Sequence, residues 1–178
     1  YGCGRNFFNE LTKQYKPNKS SKYSICKIFS NIDKVGCCHN SSLVLTNTGL
    51  LKMFGKNIQD KYITQISTEV NDLSQGNITD LGCGYSHLGY ITDKGSLYLL
   101  GSNFYYECGY ESSDFRLNCG SKQLKLYING VNKIIKVRCG WNFTIIKTDK
   151  NDFYSFGKNN ENKLLLGSNE SQCLPTLI

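Results

Sequence analysis

The sequence predicts an all-β fold assembled from repeated antiparallel sheets, and three observations support this prediction. The 178 residues include no alanine, the residue with the highest helix propensity, but 17 glycines, 12 tyrosines and 9 phenylalanines. A segment of similar sequence recurs along the chain at intervals of 46 to 56 residues. Each copy contains short runs of β-branched, aromatic and aliphatic residues that are separated by turn signals.

The recurring segment ends in a Gly-x-Asn triplet, which marks the register of each copy. The glycines of these triplets are Gly4, Gly55, Gly101 and Gly157, at spacings of 51, 46 and 56 residues. Three copies align without a gap, and a truncated copy opens the chain at residues 1–6. Units of this length with several short strands fit the blades of a β-propeller better than the coils of a solenoid.

A tight turn is predicted near the middle of each copy. Gly49 and Gly95 occupy its last position in two copies, and Asn151 occupies it in the third. A three-residue hairpin loop needs a left-handed residue there, which glycine adopts without steric cost and asparagine tolerates best among the others. The pattern therefore predicts hairpins with positive φ at these structural turn positions, and it predicts that asparagine is tolerated at position 95.

The nine cysteines do not form a recognisable ligand or disulfide pattern. There is no Cys-x-x-Cys pair, and the run Cys37-Cys38-His39 is too tightly spaced for a zinc ligand pair. Cys37, Cys83 and Cys139 share one position of the repeat beside small residues. We expect these three to be reduced, buried packing residues in an intracellular protein, without a metal or another cofactor.

The copy at residues 78–109 carries the clearest motifs. It reads Cys83-Gly84-Tyr85-Ser86-His87, then Thr92-Asp93-Lys94-Gly95, then Gly101-Ser102-Asn103. This pattern resembles the repeat of the regulator of chromosome condensation family, in which Cys-Gly-x-x-His, Thr-x-x-Gly, Gly-x-Asn and Gly-Gln-Leu-Gly follow one another. Two positions depart from the family: Ser41 and Phe143 replace the histidine, and Cys3, Phe54, Leu100 and Phe156 stand where tryptophan is usual.

The resemblance implies a seven-bladed β-propeller with antiparallel four-stranded blades, of which this chain supplies about half. It covers residues 1–178, with a partial copy at 1–12 and full units at about 32–77, 78–131 and 132–178. The rest of the ring would come from the same chain or from a second copy. Since the chain starts at Tyr1 without a leader pattern, we expect it to be a piece of a longer protein.

The sequence contains no catalytic constellation, so a binding or regulatory module is expected rather than an enzyme. Its two histidines, His39 and His87, have no partners at the spacing of a catalytic triad or dyad, and the glycine-rich runs lack the lysine of a phosphate loop. The first hypothesis is a protein-interaction propeller within a larger regulatory or multidomain protein. The alternative, implied by the resemblance, is a guanine-nucleotide exchange factor for a small Ran-like GTPase.

Candidate partner-binding residues come from both hypotheses. The resemblance implies that His87 faces a GTPase, but the alternative role, a hydrogen bond within the blade, is the favoured one. Aromatic residues occupy the loop after Gly-x-Asn in two copies and suit a protein interface, with packing at the blade edge as the alternative. These loop residues are Phe7, Phe8, Phe104, Tyr105 and Tyr106.

The net charge of +7 reflects 21 basic and 14 acidic residues, and much of the excess lies near the start of the chain. A basic patch is predicted there, consisting of Lys13, Lys16, Lys19 and Lys22. Such a patch can attract nucleic acid or chromatin, but a solvated, lysine-rich loop is the favoured interpretation. No apolar run reaches the roughly 18 residues of a membrane span, and we expect a cytoplasmic or nuclear protein.

Overall fold

The computed structural model describes residues 30–39, 41–55, 68–69, 76–111 and 124–178. The chain divides into two compact units, Tyr1–Leu73 and Ser74–Ile178. Several predicted site residues lie outside the described residues, namely Phe7, Phe8 and the basic patch of Lys13, Lys16, Lys19 and Lys22.

Three antiparallel sheets of four strands each are formed by the described residues. The sheet of the first unit contains β1 (Ile32–Cys37), β2 (Ser41–Thr46), β3 (Leu51–Gly55) and β4 (Thr68–Glu69). The second unit contains β5 (Ile78–Cys83), β6 (His87–Thr92), β7 (Leu97–Gly101) and β8 (Leu124–Leu126), followed by β9 (Ile134–Cys139), β10 (Phe143–Thr148), β11 (Phe153–Gly157) and β12 (Gln172–Leu177). Strands follow chain order across each sheet, which is the arrangement of a propeller blade. The described residues include no helix that is long and apolar enough to cross a membrane.

The predicted hairpin turns connect the second and third strands of each sheet. Gly49, Gly95 and Asn151 have φ values of 85°, 76° and 68°, the left-handed conformation that the turn pattern predicts. Each of the three backbone N–H groups donates to the residue three positions earlier in the chain, for example Gly95 N to Thr92 O at 2.8 Å. The asparagine in the third copy therefore adopts the same conformation as the two glycines.

The core of the second unit lies between its two sheets. Leu97 and Leu99 on β7 are fully buried, as are Val137 on β9 and Phe156 on β11. The rest of this cluster consists of Ile91, Cys108, Ile134 and Ile146. Burying such side chains stabilises the fold by about 1.5–3 kcal/mol each, so this apolar interface holds the two sheets together.

One buried carboxylate also joins the two sheets of the second unit. Asp80 on β5 accepts a hydrogen bond from the backbone N–H of Val137 on β9, at 2.8 Å. The same oxygen, Oδ2, accepts from the guanidinium of Arg138 at 2.8 Å. The Asp80 side chain is only 10% exposed, so both donors are needed to replace the water that the carboxylate loses on folding.

The cysteines differ from the sequence-based expectation in one respect. All six described cysteines are free, but Cys37 is exposed and Cys83 and Cys139 are only half-buried. The expectation that these three are buried is therefore wrong, most clearly for Cys37. It ends β1, an edge strand on which alternate side chains face away from the sheet's packed side.

Candidate interaction surface

Four loops of the second unit lie at the same end of its two sheets. His87 pairs with Gly101 and Phe143 pairs with Gly157, so the loops that precede β6 and β10 lie beside the loops that follow β7 and β11. The backbone N–H of Tyr85 donates to the carbonyl of Gly140 at 3.2 Å, which brings the two sheet ends together. This end of the unit therefore carries a single surface made from both sheets.

Aromatic rings and lysines dominate this surface, which we call the aromatic surface. It consists of Tyr85, Phe104, Tyr105, Trp141, Lys158 and Lys163. Tyr85 and Trp141 stack with ring centroids 5.5 Å apart and an interplanar angle of 29°. Trp141, the single tryptophan of the sequence, nevertheless remains 63% exposed. Phe104 contacts Tyr105 edge to face, at 4.8 Å between centroids.

Both lysines of the aromatic surface lie over rings. Lys158 Nζ is 4.4 Å from the centroid of Tyr105, and Lys163 Nζ is 5.9 Å from the ring centre of Trp141. Cation–π contacts at exposed sites contribute about 0.5–1 kcal/mol. The backbone N–H of Lys158 donates to the carbonyl of Asn142 at 2.8 Å, so this residue connects Trp141's loop with Tyr105.

In the two Gly-x-Asn triplets that the structure describes in full, the Asn holds the loop that follows it. Asn103 Oδ1 accepts from the backbone N–H of Cys108 at 2.8 Å. In the next copy, Asn159 Oδ1 accepts from the backbone N–H of Leu164, also at 2.8 Å. Both asparagines are buried, and both fix the residue five positions further along the chain. The triplet therefore has the same role in both of these copies.

A buried chain of hydrogen bonds lies beneath the aromatic surface. His87 Nε2 lies 2.8 Å from Thr144 Oγ1, and this hydroxyl donates to the backbone carbonyl of Glu107 at 2.8 Å. The Glu107 carboxylate accepts from the backbone N–H of Tyr105 at 2.6 Å. Because His87, Thr144 and Glu107 are all fully buried, these hydrogen bonds join β6, β10 and the loop after β7 in a region without competing water.

The hydrogen-bond directions determine the state of the His87 ring. A hydroxyl has one hydrogen, which Thr144 gives to Glu107, so His87 Nε2 must carry the hydrogen that it shares with Thr144. The other ring nitrogen, Nδ1, has no hydrogen-bond partner in the described part of the chain. Burial lowers the pKa of His87 from 6.5 to about 4, and this effect outweighs the smaller influence of the nearby Phe143 backbone, which raises the pKa. His87 is therefore a neutral donor at physiological pH.

The described residues that the sequence predicted as partner-binding candidates differ in their exposure. His87 is fully buried, as expected for the alternative in which it hydrogen-bonds within the fold. Phe104 is 56% exposed on the aromatic surface, whereas Tyr105 and Tyr106 are half-buried. Tyr106 has a φ of 66°, an unusual conformation for a bulky side chain.

Sequence reasoning missed Tyr85, Trp141 and both lysines. A signal for the rings exists, because the residue two positions after the repeat cysteine is His39, Tyr85 or Trp141 in the three copies. The contact between the two rings joins residues far apart in the sequence and was not predictable from that position. Among the described residues, no group of three His, Cys, Asp or Glu side chains could hold a metal ion.

Three four-stranded antiparallel sheets, each with a positive-φ hairpin turn, define a β-propeller repeat protein. The two sheets of the second unit also carry the described Gly-x-Asn loops. Residues 134–162 match the family model of the regulator of chromosome condensation repeat. The X-linked retinitis pigmentosa GTPase regulator of Canis lupus familiaris is 30% identical over 134 residues, 72% of this chain and 12% of that protein. The chain belongs to the regulator of chromosome condensation repeat family.

Solved structures confirm the fold. Human WBSCR16 matches 99% of this chain and 46% of its own, with a TM-score of 0.80 and 18% identity. Prp20p of Saccharomyces cerevisiae matches 99% of this chain and 45% of its own, with a TM-score of 0.77 and 17% identity. The chain thus spans about half of the structures that it matches, and the predicted partial propeller with four-stranded antiparallel blades is confirmed.

Proposed function

We propose that this chain is a non-catalytic β-propeller module that binds a protein partner and acts within a larger regulatory or multidomain protein. The aromatic surface is the observation that supports this function. Tyr and Trp contribute most to the hot spots of protein interfaces, and here they project from loops at one end of the second unit. An exposed aromatic cluster of this kind is typical of an interaction site.

The rigidity of the loops also supports binding. Tyr85 and Tyr105 are each held by a backbone hydrogen bond, to Gly140 O and to the Glu107 carboxylate. Rings that are already ordered lose little conformational entropy when a partner docks, so more of the contact energy appears as affinity. The buried His87–Thr144–Glu107 hydrogen bonds lie beneath these loops and hold Glu107 in place.

The conformation of Tyr106 is a further argument for function in the loop after β7. The third copy has Asn162 at this position, with a φ of 51°, and the family motif has glycine. Holding a bulky residue in this region costs about 1–3 kcal/mol, and such strain clusters at functional sites. We assign Phe104, Tyr105 and Tyr106 to the partner-binding loop on this basis.

The test is affinity capture from an extract of the source organism with the purified chain as bait. The bait variants are Tyr85→Ala/Trp141→Ala and a control, Tyr127→Ala, whose ring is 77% exposed at the opposite end of the sheet. Quantitative mass spectrometry should find proteins that the wild type and the control retain and the double variant loses. An identical set on all three baits would contradict the proposal.

Nucleotide exchange on a Ran-like GTPase is the second candidate. The relatives include proteins named GTPase regulators, and Prp20p is described with its binding properties to Gsp1p and histones. Release of a fluorescent guanine nucleotide from a Ran-type GTPase tests this alternative. If the wild type accelerates nucleotide release and Tyr85→Ala/Trp141→Ala does not, the chain is an exchange factor. If the wild type does not accelerate release, the result favours the interaction module.

The proposal also includes the source of the remaining blades and the cellular compartment of the protein. We assign the units to about 32–77, 78–131 and 132–178, after a partial copy at 1–12, with the other blades supplied by the same chain or a second copy. An intracellular location, cytoplasmic or nuclear, fits the six free cysteines among the described residues, because reducing compartments keep thiols unpaired.

A further inference from the structure

We propose that the aromatic surface binds an acidic protein segment, whose carboxylates pair with Lys158 and Lys163 while an apolar side chain packs against Tyr85 and Trp141. This inference rests on the proposed function and specifies the chemistry of the partner. Three observations support it: the hydrogen-bond donors on the surface, the stacking of its rings with each other and with lysines, and the positive charge of the chain.

The polar groups that side chains offer on this surface are mostly hydrogen-bond donors. Lys158 and Lys163 each provide an ammonium group, and the indole of Trp141 can donate but cannot accept. The complementary partner must therefore be rich in acceptors, and carboxylates satisfy ammonium groups best. The net charge of +7 attracts such a segment before contact.

The lysines are held where a carboxylate can reach them. Lys158 rests on the ring of Tyr105, and Lys163 lies beside Trp141. Lys163 also pairs with Glu161 at 3.4 Å, but this glutamate side chain is 73% exposed. The Lys163 side chain is 23% exposed, so the pair lies at the surface, where ion pairs contribute about 0–1 kcal/mol. A carboxylate of the partner can therefore replace Glu161 at little cost.

The stacking of the rings favours a peptide over a nucleic acid. A base binds by stacking on an open aromatic face. One face of Trp141 lies against Tyr85, and the Lys163 ammonium group lies 5.9 Å from the centre of the same ring. Lys158 likewise lies over Tyr105. The rings still expose enough apolar surface to pack against an aliphatic side chain, and two lysines are few for a phosphate backbone.

The experiment uses the fluorescence of Trp141, the single tryptophan, in the full 178-residue chain. The probes are short synthetic peptides with a central leucine between aspartates or glutamates, matched peptides with asparagine or glutamine, and oligothymidine. We expect a saturable shift of the emission with the acidic peptides and at least fivefold weaker binding of the neutral ones. Added sodium chloride should weaken the acidic complex.

A charge-matched pair of variants locates the interaction. Lys158→Gln/Lys163→Gln should lower the affinity for the acidic peptides about tenfold. The control Lys94→Gln/Lys150→Gln removes two exposed lysines at the hairpin turns and should leave this affinity unchanged. Three results overturn the inference: equal binding of acidic and neutral peptides, no binding of acidic peptides, or tighter binding of oligothymidine.

Capture experiments separate this inference from the proposed function. If Lys158→Gln/Lys163→Gln retains the captured proteins and Tyr85→Ala/Trp141→Ala loses them, the surface binds a partner but the acidic assignment is wrong. If both double variants retain them, the proposed function and this inference fail together. Loss with both, alongside acidic peptide binding, supports the inference.

Discussion

A β-carbon on Gly84 would lie 2.5 Å from Cε1 of the buried His87 ring and 2.7 Å from the carbonyl oxygen of Gly140. The glycine that follows the repeat cysteine is therefore required by the ring three positions further on. The third copy shows the same relationship, because a β-carbon on Gly140 would collide with the ring of Phe143. In the first copy Ser41 replaces the ring and Cys38 replaces the glycine, which is consistent with this steric rule.

Gly84→Ala should lower the free energy of unfolding more than Gly140→Ala does. At Gly84 the methyl group meets a fully buried ring and a backbone carbonyl, and overpacking of this kind costs about 1–3 kcal/mol. At Gly140 the nearest atoms all belong to Phe143, which is half-buried and has room to move. Urea unfolding of the two variants measures the difference, and an equal or reversed order would contradict the steric explanation.

A double variant that imitates the first copy tests the same relationship directly. Gly140→Ala/Phe143→Ser should lose less stability than the sum of the two single changes, because removing the ring removes the collision. We expect a coupling of about 1 kcal/mol in this cycle, at the lower end of the range for residues in contact. Strict additivity would show that Phe143 does not impose the glycine.

Gly95→Asn should be distinctly more destabilising than Gly167→Asn. Both glycines have positive φ, 76° and 72°, which asparagine tolerates. A β-carbon at position 95 would lie 2.7 Å from Cβ and 2.8 Å from Cα of Lys133, whereas nothing lies within 4 Å of one at position 167. The comparison by urea unfolding separates crowding from backbone conformation, and we expect a difference of at least about 1 kcal/mol.

This result would correct the expectation that asparagine is tolerated at position 95. That expectation came from Asn151, which occupies the equivalent turn and adopts the same φ. The turn pattern contains no information on Lys133, which approaches Gly95 from the segment before β9. Equal losses of stability for Gly95→Asn and Gly167→Asn would show that Lys133 moves aside at little energetic cost. The expectation would then be right.

The sequence predicts the local features of this fold because the repeat supplies them several times over. The strands around Gly95, the positive φ of Asn151 and the Gly-x-Asn register all depend on residues close together in the chain. The aromatic surface depends on pairs such as His87 and Thr144, 57 positions apart, which only the packing of two sheets brings together. The burial of His87 likewise follows from that packing and not from its motif.

Alkylation of the native protein should label Cys37 quickly and Cys108 last. Cys37 is exposed, whereas Cys108 is fully buried and its thiol donates to the carbonyl of Ser102 at 3.2 Å. The half-buried Cys83 and Cys139 should react at intermediate rates. Mass spectrometry after timed iodoacetamide treatment gives the order, and early labelling of Cys108 would mean that its loop opens readily.

Acid should destabilise the chain through His87. The pKa of this histidine is about 4 in the folded chain against 6.5 ordinarily, so between these values the unfolded chain binds the additional proton. The free energy of unfolding is therefore unaffected by this group above pH 6.5 and falls as the pH drops from 6.5 toward 4. A shift of this size corresponds to a loss of about 3 kcal/mol. Protonation places a hydrogen on Nδ1, which has no acceptor in the described part of the chain.

His87→Gln isolates this contribution from that of the carboxylates. Its amide can donate to Thr144 as Nε2 does but does not titrate, so the variant should lose less stability than the wild type between pH 7 and pH 4.5. His39→Gln, the same substitution at the exposed histidine, is the matched control variant. Urea unfolding at each pH gives the free energies.

Since the hydrogen-bond chain reaches Tyr105 through Glu107, Trp141 emission should also change with pH in the wild type before global unfolding. Identical pH profiles for the wild type and His87→Gln would contradict a buried, neutral histidine beneath the aromatic surface.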